Sequence, residues 1–134
     1  MTVRQAGPTD TSRMSIPGGG RTVLSASNHG FVALEFWAAG REAERWPDSY
    51  LSFSPATARD LGVALIAGED SEFADVCEDL LRVVPTADGV ELRFVPTSAQ
   101  SQVNGAPNTP GAVRLFHGHA AFLGHETLRL ADRA

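Results

Sequence analysis

The stretch SPATARDLGVALIAGEDSEFADVCEDLL, residues 54–81, decides how the rest of the chain is read. Its first half carries helix punctuation at both ends. Ser54 is a good N-cap, and Pro55 suits the first helical position, where a missing N–H costs nothing. Ala58, Leu61 and Leu65 form one stripe, Val63, Ile66 and Ala67 widen it, and Gly68 is a natural stop. That pattern predicts a helix buried over much of its circumference. The second half, from Asp70 or Ser71, sets Phe73, Val76, Cys77, Leu80 and Leu81 at i, i+3, i+4, i+7 and i+8, a full helical face. Two successive helices are expected.

Outward from these helices the pattern is extended. TVLSA (22–26) and FVALEFW (31–37) flank SNHG, where Asn28 and Gly30 supply hairpin-turn chemistry. YLSF (50–53) reads as a strand, and TADG (86–89) is a turn into the alternating strand VELRFV (90–95). AVRLFHG (112–118) and TLRLA (127–131) read as closing strands joined through AAFLGHE. Residues 38–49 fit either a short helix or a loop, and Pro47 ends any helix there. Residues 1–20, with Gly7, Pro8, Pro17 and Gly18-Gly19-Gly20, offer little apolar surface and read as a flexible N-terminal arm. The run GGGRT lacks the preceding strand and following Lys-Ser/Thr pair of a phosphate loop. Residues 96–111 form a long polar loop. The expected class is α+β: an antiparallel sheet with two helices on one face, a single domain over 21–134 behind the arm.

Composition narrows the function. A chain of 134 residues suits one core, and 43% hydrophobic with 20% charged residues is a globular balance. The single cysteine makes no internal disulfide and suits a reducing compartment. No apolar run reaches the ~18 residues of a membrane span, and the N-terminus lacks a signal-peptide core. The expected location is cytoplasmic, or within an intracellularly assembled particle. A net charge of −5 argues against phosphate-neutralising contact with nucleic acid. All eleven basic residues are arginine, the coding habit of a GC-rich genome, cellular or viral.

The strand leading into S-P-x-x-A-R-x-L-x-x-x-L (54–65) resembles small uncharacterised proteins of high-GC actinobacteria and their phages, over roughly residues 50–67. The resemblance carries no activity. It is compatible with a phage or prophage protein, either an assembly subunit or a host-directed inhibitor.

Two clusters are candidate sites. GAVRLFHGHAAFLGHE (111–126) holds three of the four histidines. On a strand, His117 and His119 share a face about 7 Å apart. With His125 or Glu126 brought back by a turn at Gly124, they would offer zinc, manganese or iron a histidine-rich site. The spacing of Gly111, His117 and His119 is similar to part of the first cupin motif, but Glu126 lies too far beyond His119. The second cluster is EDSEFADVCED (69–79), with Glu69, Asp70, Glu72, Asp75, Glu78 and Asp79 and no basic residue. On the expected second helix these acids lie opposite Phe73 and Leu80, a docking face for a protein with a basic surface. Cys77 reads as a buried, inert thiol, and Trp37, Trp46 and Tyr50 as core or interface residues. No catalytic constellation stands out. The leading expectation is a non-enzymatic accessory or protein-binding domain; the alternative is a metal-binding protein or small metalloenzyme using the histidines.

Overall fold

The computed structural model describes residues 10–27, 30–97, 102–103, 106–107 and 109–134. Thr11–Ser15 (β1), Arg21–Ala26 (β2), Val32–Trp37 (β3) and Ser49–Phe53 (β4) form one antiparallel sheet in that order, followed by α1 (Pro55–Ala67). Ser71–Ala74 (β5), Leu80–Thr86 (β6), Gly89–Val95 (β7) and Gly111–Phe116 (β10) form a second, ordered β10-β7-β6-β5 and followed by α2 (His117–Ala131). Between β7 and β10, Gln102–Val103 (β8) pairs with Ala106–Pro107 (β9). The class is α+β with antiparallel pairing and two helices, as expected, but the strands divide into two sheets. The chain runs through four strands and a helix twice.

The core lies between the sheets and under the helices. Leu24, Val32, Leu34, Leu51 and Phe53 from the first sheet meet Leu81, Val83, Val90, Leu92 and Leu115 from the second, with Leu61, Leu65, Leu123 and Leu130 from the helices. Each fully buried side chain of this size stabilises the fold by about 1.5–3 kcal/mol. The rings of Phe36 and Phe94 stack at 4.8 Å across the two sheets. α2 touches β1, β2 and β3 as well as β7 and β10, while α1 touches β4, β5 and α2. The helices cross at two glycines: a Cβ on Gly124 would lie 2.7 Å from the Gly62 carbonyl oxygen, and one on Gly62 would lie 2.9 Å from that of Gly124.

The α1 punctuation is realised in full. The Ser54 hydroxyl accepts from the Thr57 N–H, Pro55 opens the helix, and Gly68 closes it in the left-handed region at φ 69°. Its outward side is more open than expected, however: Val63, Ile66 and Ala67 are exposed. The hairpin read from SNHG is formed by β2–β3, and the turn read at TADG leads into β7, with β6 as the partner strand before it. Asn28 and His29 lie outside the described residues.

Three expectations are corrected. The second helix, over 70–81, is instead β5, a turn and β6. Its apolar spacing was helical, but the Asp75 carboxylate accepts from the Cys77 and Asp79 N–H groups, both at 2.9 Å. Such local bonding competes with the helical ladder. Glu78 then takes a positive φ of 71°, which no helix continues. Phe73 and Leu81 face each other across the resulting ladder. The closing strand over 127–131 is the far end of α2. Ala120, Leu123, Thr127, Leu130 and Ala131 are all buried along it, a 3.6-residue period. The Asp88 carbonyl, in the β6–β7 turn, accepts from the His117 N–H at the helix start.

The third correction concerns the arm. Residues 11–15 are β1, because alternation puts Ser12 and Met14 inward, with Ile16 following. Gly18, Gly19 and Gly20 turn the chain back into β2, all three at positive φ. Residues 1–9 lie outside the described residues, as do 98–101, 104–105 and 108 of the polar loop. That loop is tied down at Thr109, whose N–H donates to the Asp48 carbonyl and whose own carbonyl accepts from the Ser49 hydroxyl.

Candidate functional site

The acidic cluster divides into two groups. Asp75 and Asp79 are buried, at 7% and 1% exposure. Asp75 joins the sheets: its second carboxylate oxygen accepts from the Ser52 N–H of β4 at 3.2 Å, while the Val76 N–H donates to the Ser52 carbonyl. Burial pushes the Asp75 carboxyl up further than its three N–H donors pull it down. Asp79 accepts from the Thr97 N–H at 2.8 Å. Both carboxylates are buried and engaged with backbone N–H groups. Glu69, Asp70, Glu72 and Glu78 remain exposed around β5, the edge of its sheet. Arg82 answers two of them, Asp70 at 3.5 Å and Glu72 at 3.7 Å. The like-charge face expected on a helix is therefore an acidic rim on a sheet edge.

The histidines do not converge. On α2, His117 and His119 are two residues apart, about 200° around the axis, and His125 is two turns from His117, about 12 Å along it. His117 and His125 are exposed, and the His119 ring sits 6.4 Å from that of Phe116. Glu126 is held by Arg129 at 2.7 Å, which with a Ser12 hydroxyl bond keeps its carboxyl below the usual range. Among the described residues, no three His, Cys, Asp or Glu side chains gather as a metal would require.

A different group stands out on the outward face of the first sheet, where strand alternation and register align it. Glu35 on β3 lies opposite Val23 on β2 and Tyr50 on β4. Next to this row, Arg21 lies opposite Trp37, and its guanidinium stacks 3.8 Å over the indole. The 38–48 loop closes over that pair: Arg21 Nε donates to the Glu42 carbonyl, and Trp37 Nε1 to the Glu44 carbonyl. Trp37 is thereby buried, whereas Trp46 on the same loop is 45% exposed. Tyr50 is 40% and Val76 49% exposed. Cys77, expected to be buried, is exposed in the turn beside them, and desolvation with the Asp75 and Asp79 charges pushes its thiol up. Glu35 is half-buried and makes no hydrogen bond or ion pair among the described residues; burial pushes its carboxyl up, against a smaller pull from Arg21.

The sequence drew attention to acids that were consecutive along the chain. Glu35 stood alone between apolar neighbours, and only the strand register shows what lies beside it. Compared with known proteins, the chain matches no family model and no curated protein. Among the described residues, no helix is long and apolar enough to cross a membrane.

Proposed function

We propose that this is a non-enzymatic, cytoplasmic protein-binding domain, an accessory component that docks onto a partner with a basic surface. The observation that carries this reading is the acidic rim: Glu69, Asp70, Glu72 and Glu78 stay exposed around one sheet edge, with Arg82 their ion-pair partner among the described residues. An exposed excess of charge of one sign speeds encounter with the opposite sign and sets orientation. The buried acids support the reading from the other side, because Asp75 and Asp79 are spent on backbone N–H groups. A phage or prophage role, in assembly or in host inhibition, is compatible with such a surface.

The test is fluorescence anisotropy with a labelled arginine-rich peptide. A variant carrying Glu69→Gln, Asp70→Asn, Glu72→Gln and Glu78→Gln should bind at least tenfold more weakly at low salt than the wild-type chain. Binding by the wild type should weaken steeply as salt rises. Equal affinity of the two proteins would defeat the proposal.

A further inference from the structure

Each sheet carries one glutamate at the centre of its outward face, and the two are treated differently. Glu91 on β7 receives Arg93 at 2.6 Å and Arg114 at 3.5 Å. Glu35 on β3 receives neither a cation nor a hydrogen-bond donor among the described residues. Two arginines share the face: Arg13 stands across Val23 from it, and Arg21, whose charge reaches Glu35, is committed to the Trp37 ring and the Glu42 carbonyl. Around Glu35 lie Val23, which is buried, and Tyr50, which is not. Beside Tyr50 the β5–β6 turn presents Val76, seated on β4 through its bond to Ser52.

A half-dry carboxylate with no ion pair or hydrogen bond among the described residues costs free energy in the isolated protein. The same carboxylate beside an exposed phenol and an exposed valine is what a basic side chain needs on arrival. The carboxylate gives charge-assisted hydrogen bonds, the ring face a cation–π contact, and the valine a wall for the alkyl stem. Guanidinium fits better than ammonium, because its planar fork can meet a carboxylate with two bonds while its flat face lies on a ring.

We infer that the outward face of the first sheet binds an arginine side chain of the partner protein, with Glu35 as its counter-ion, Tyr50 as its stacking surface and Val76 as its apolar edge. This rests on the reading that the domain docks onto a basic partner, and it gives that partner an anchoring residue. The acidic rim and the arginine seat meet at the β5–β6 turn, since Glu78 and Val76 belong to the same few residues. Attraction over distance belongs to the rim, and the close contact belongs to Glu35. On binding, the carboxyl of Glu35 gains a cation in direct contact, which pulls its pKa down.

The experiment is a two-dimensional amide NMR titration of the whole chain with N-acetyl-arginine N-methylamide. Its uncharged isostere, N-acetyl-citrulline N-methylamide, is run in parallel. The arginine probe should shift the amides of Glu35, Tyr50, Val76 and Cys77 saturably, and the citrulline probe should not. Glu35→Gln should weaken the arginine probe at least tenfold while leaving the spectrum of a folded protein. Indistinguishable responses to the two probes, or equal binding to the Glu35→Gln chain, would overturn the inference. Shifts confined to residues 69–72 would overturn it too and leave the acidic rim standing. Loss of peptide affinity in Glu35→Gln but not in the rim variant would do the reverse.

Discussion

Glu35 and Glu91 occupy equivalent places, each outward on the third strand of its four-strand unit, and their carboxyls are displaced in opposite directions. Burial pushes Glu35 up, whereas the hydrogen bond from Arg93 is the largest cause holding Glu91 down. The surroundings explain the contrast. The first sheet's outward face is partly roofed by the 38–48 loop, which buries Trp37 beneath Arg21. The second sheet's face is open, with Arg82, Arg93 and Arg114 interleaved with Glu72 and Glu91 across the strands. Arg82 and Arg93 stand directly opposite each other, a like-charge pair made tolerable by those carboxylates. The second sheet's face answers its own charges, whereas the first sheet's leaves Glu35 with no ion pair among the described residues, which is why the first sheet's face is the better candidate for recognition.

The strongest way to break the comparison is at the helix crossing that joins the two units. Gly124→Leu would drive a side chain into the Gly62 carbonyl and Leu65, and should cost about 3 kcal/mol. Urea denaturation checks this; a loss below about 0.5 kcal/mol would mean that the helices separate readily. Next in size is Asp75→Ala, which strips three backbone N–H groups of their acceptor and should cost about 2 kcal/mol. Hydrogen exchange should then quicken at Ser52, Cys77 and Asp79, and protection unchanged at all three would argue against the carboxylate's holding the sheets together.

A smaller effect of opposite sign sharpens the contrast. Because the folded carboxyl of Glu35 sits above its ordinary 4.5, its contribution is favourable below 4.5 and is lost as pH rises through the folded value. Glu35→Gln should therefore be more stable than wild type at pH 7, by about 0.5–1 kcal/mol, and equal to it in acid. Thermal melts at pH 3.5 and pH 7 measure the difference, and a less stable variant at pH 7 would contradict it. Glu91 runs the other way. Its contribution is present above 4.5 and is lost as pH falls through its lowered folded value. Glu91→Gln should cost about 0.5 kcal/mol at pH 7, an effect that salt should erase.

Legibility along the chain followed the kind of signal available. α1 was readable because its ends are chemical: a hydroxyl cap, a proline and a glycine each act within a few residues. The hairpins were readable for the same reason. The segment 70–81 was misread because five apolar residues met a helical template while one aspartate, bonding to its own turn, decided the outcome. α2 was missed although Ala120, Leu123, Thr127, Leu130 and Ala131 display its period. The strand spacing of His117 and His119 and a turn at Gly124 fit an extended reading equally, and the residue before the helix, Phe116, provides no side-chain cap. Of the candidate acids, four of six proved to be surface groups; which two were structural depended on Ser52 and Thr97, 23 residues before Asp75 and 18 after Asp79. Glu35 as a site was invisible, since its meaning comes from Val23, Tyr50 and Arg21 on neighbouring strands.

The reach of α2 across both sheets bears on how the molecule is made. During synthesis the first four strands and α1 emerge together, with neighbour-to-neighbour pairing that needs no distant segment. Yet Leu123, Leu130 and Ala131, which share their core, are translated only after the whole second sheet. Until then the first unit has its pairing but only the part of its cover that the second sheet supplies, and inward leucines and phenylalanines stay available to chaperones or to aggregation. The nascent chain is most vulnerable in the interval before α2 leaves the ribosome.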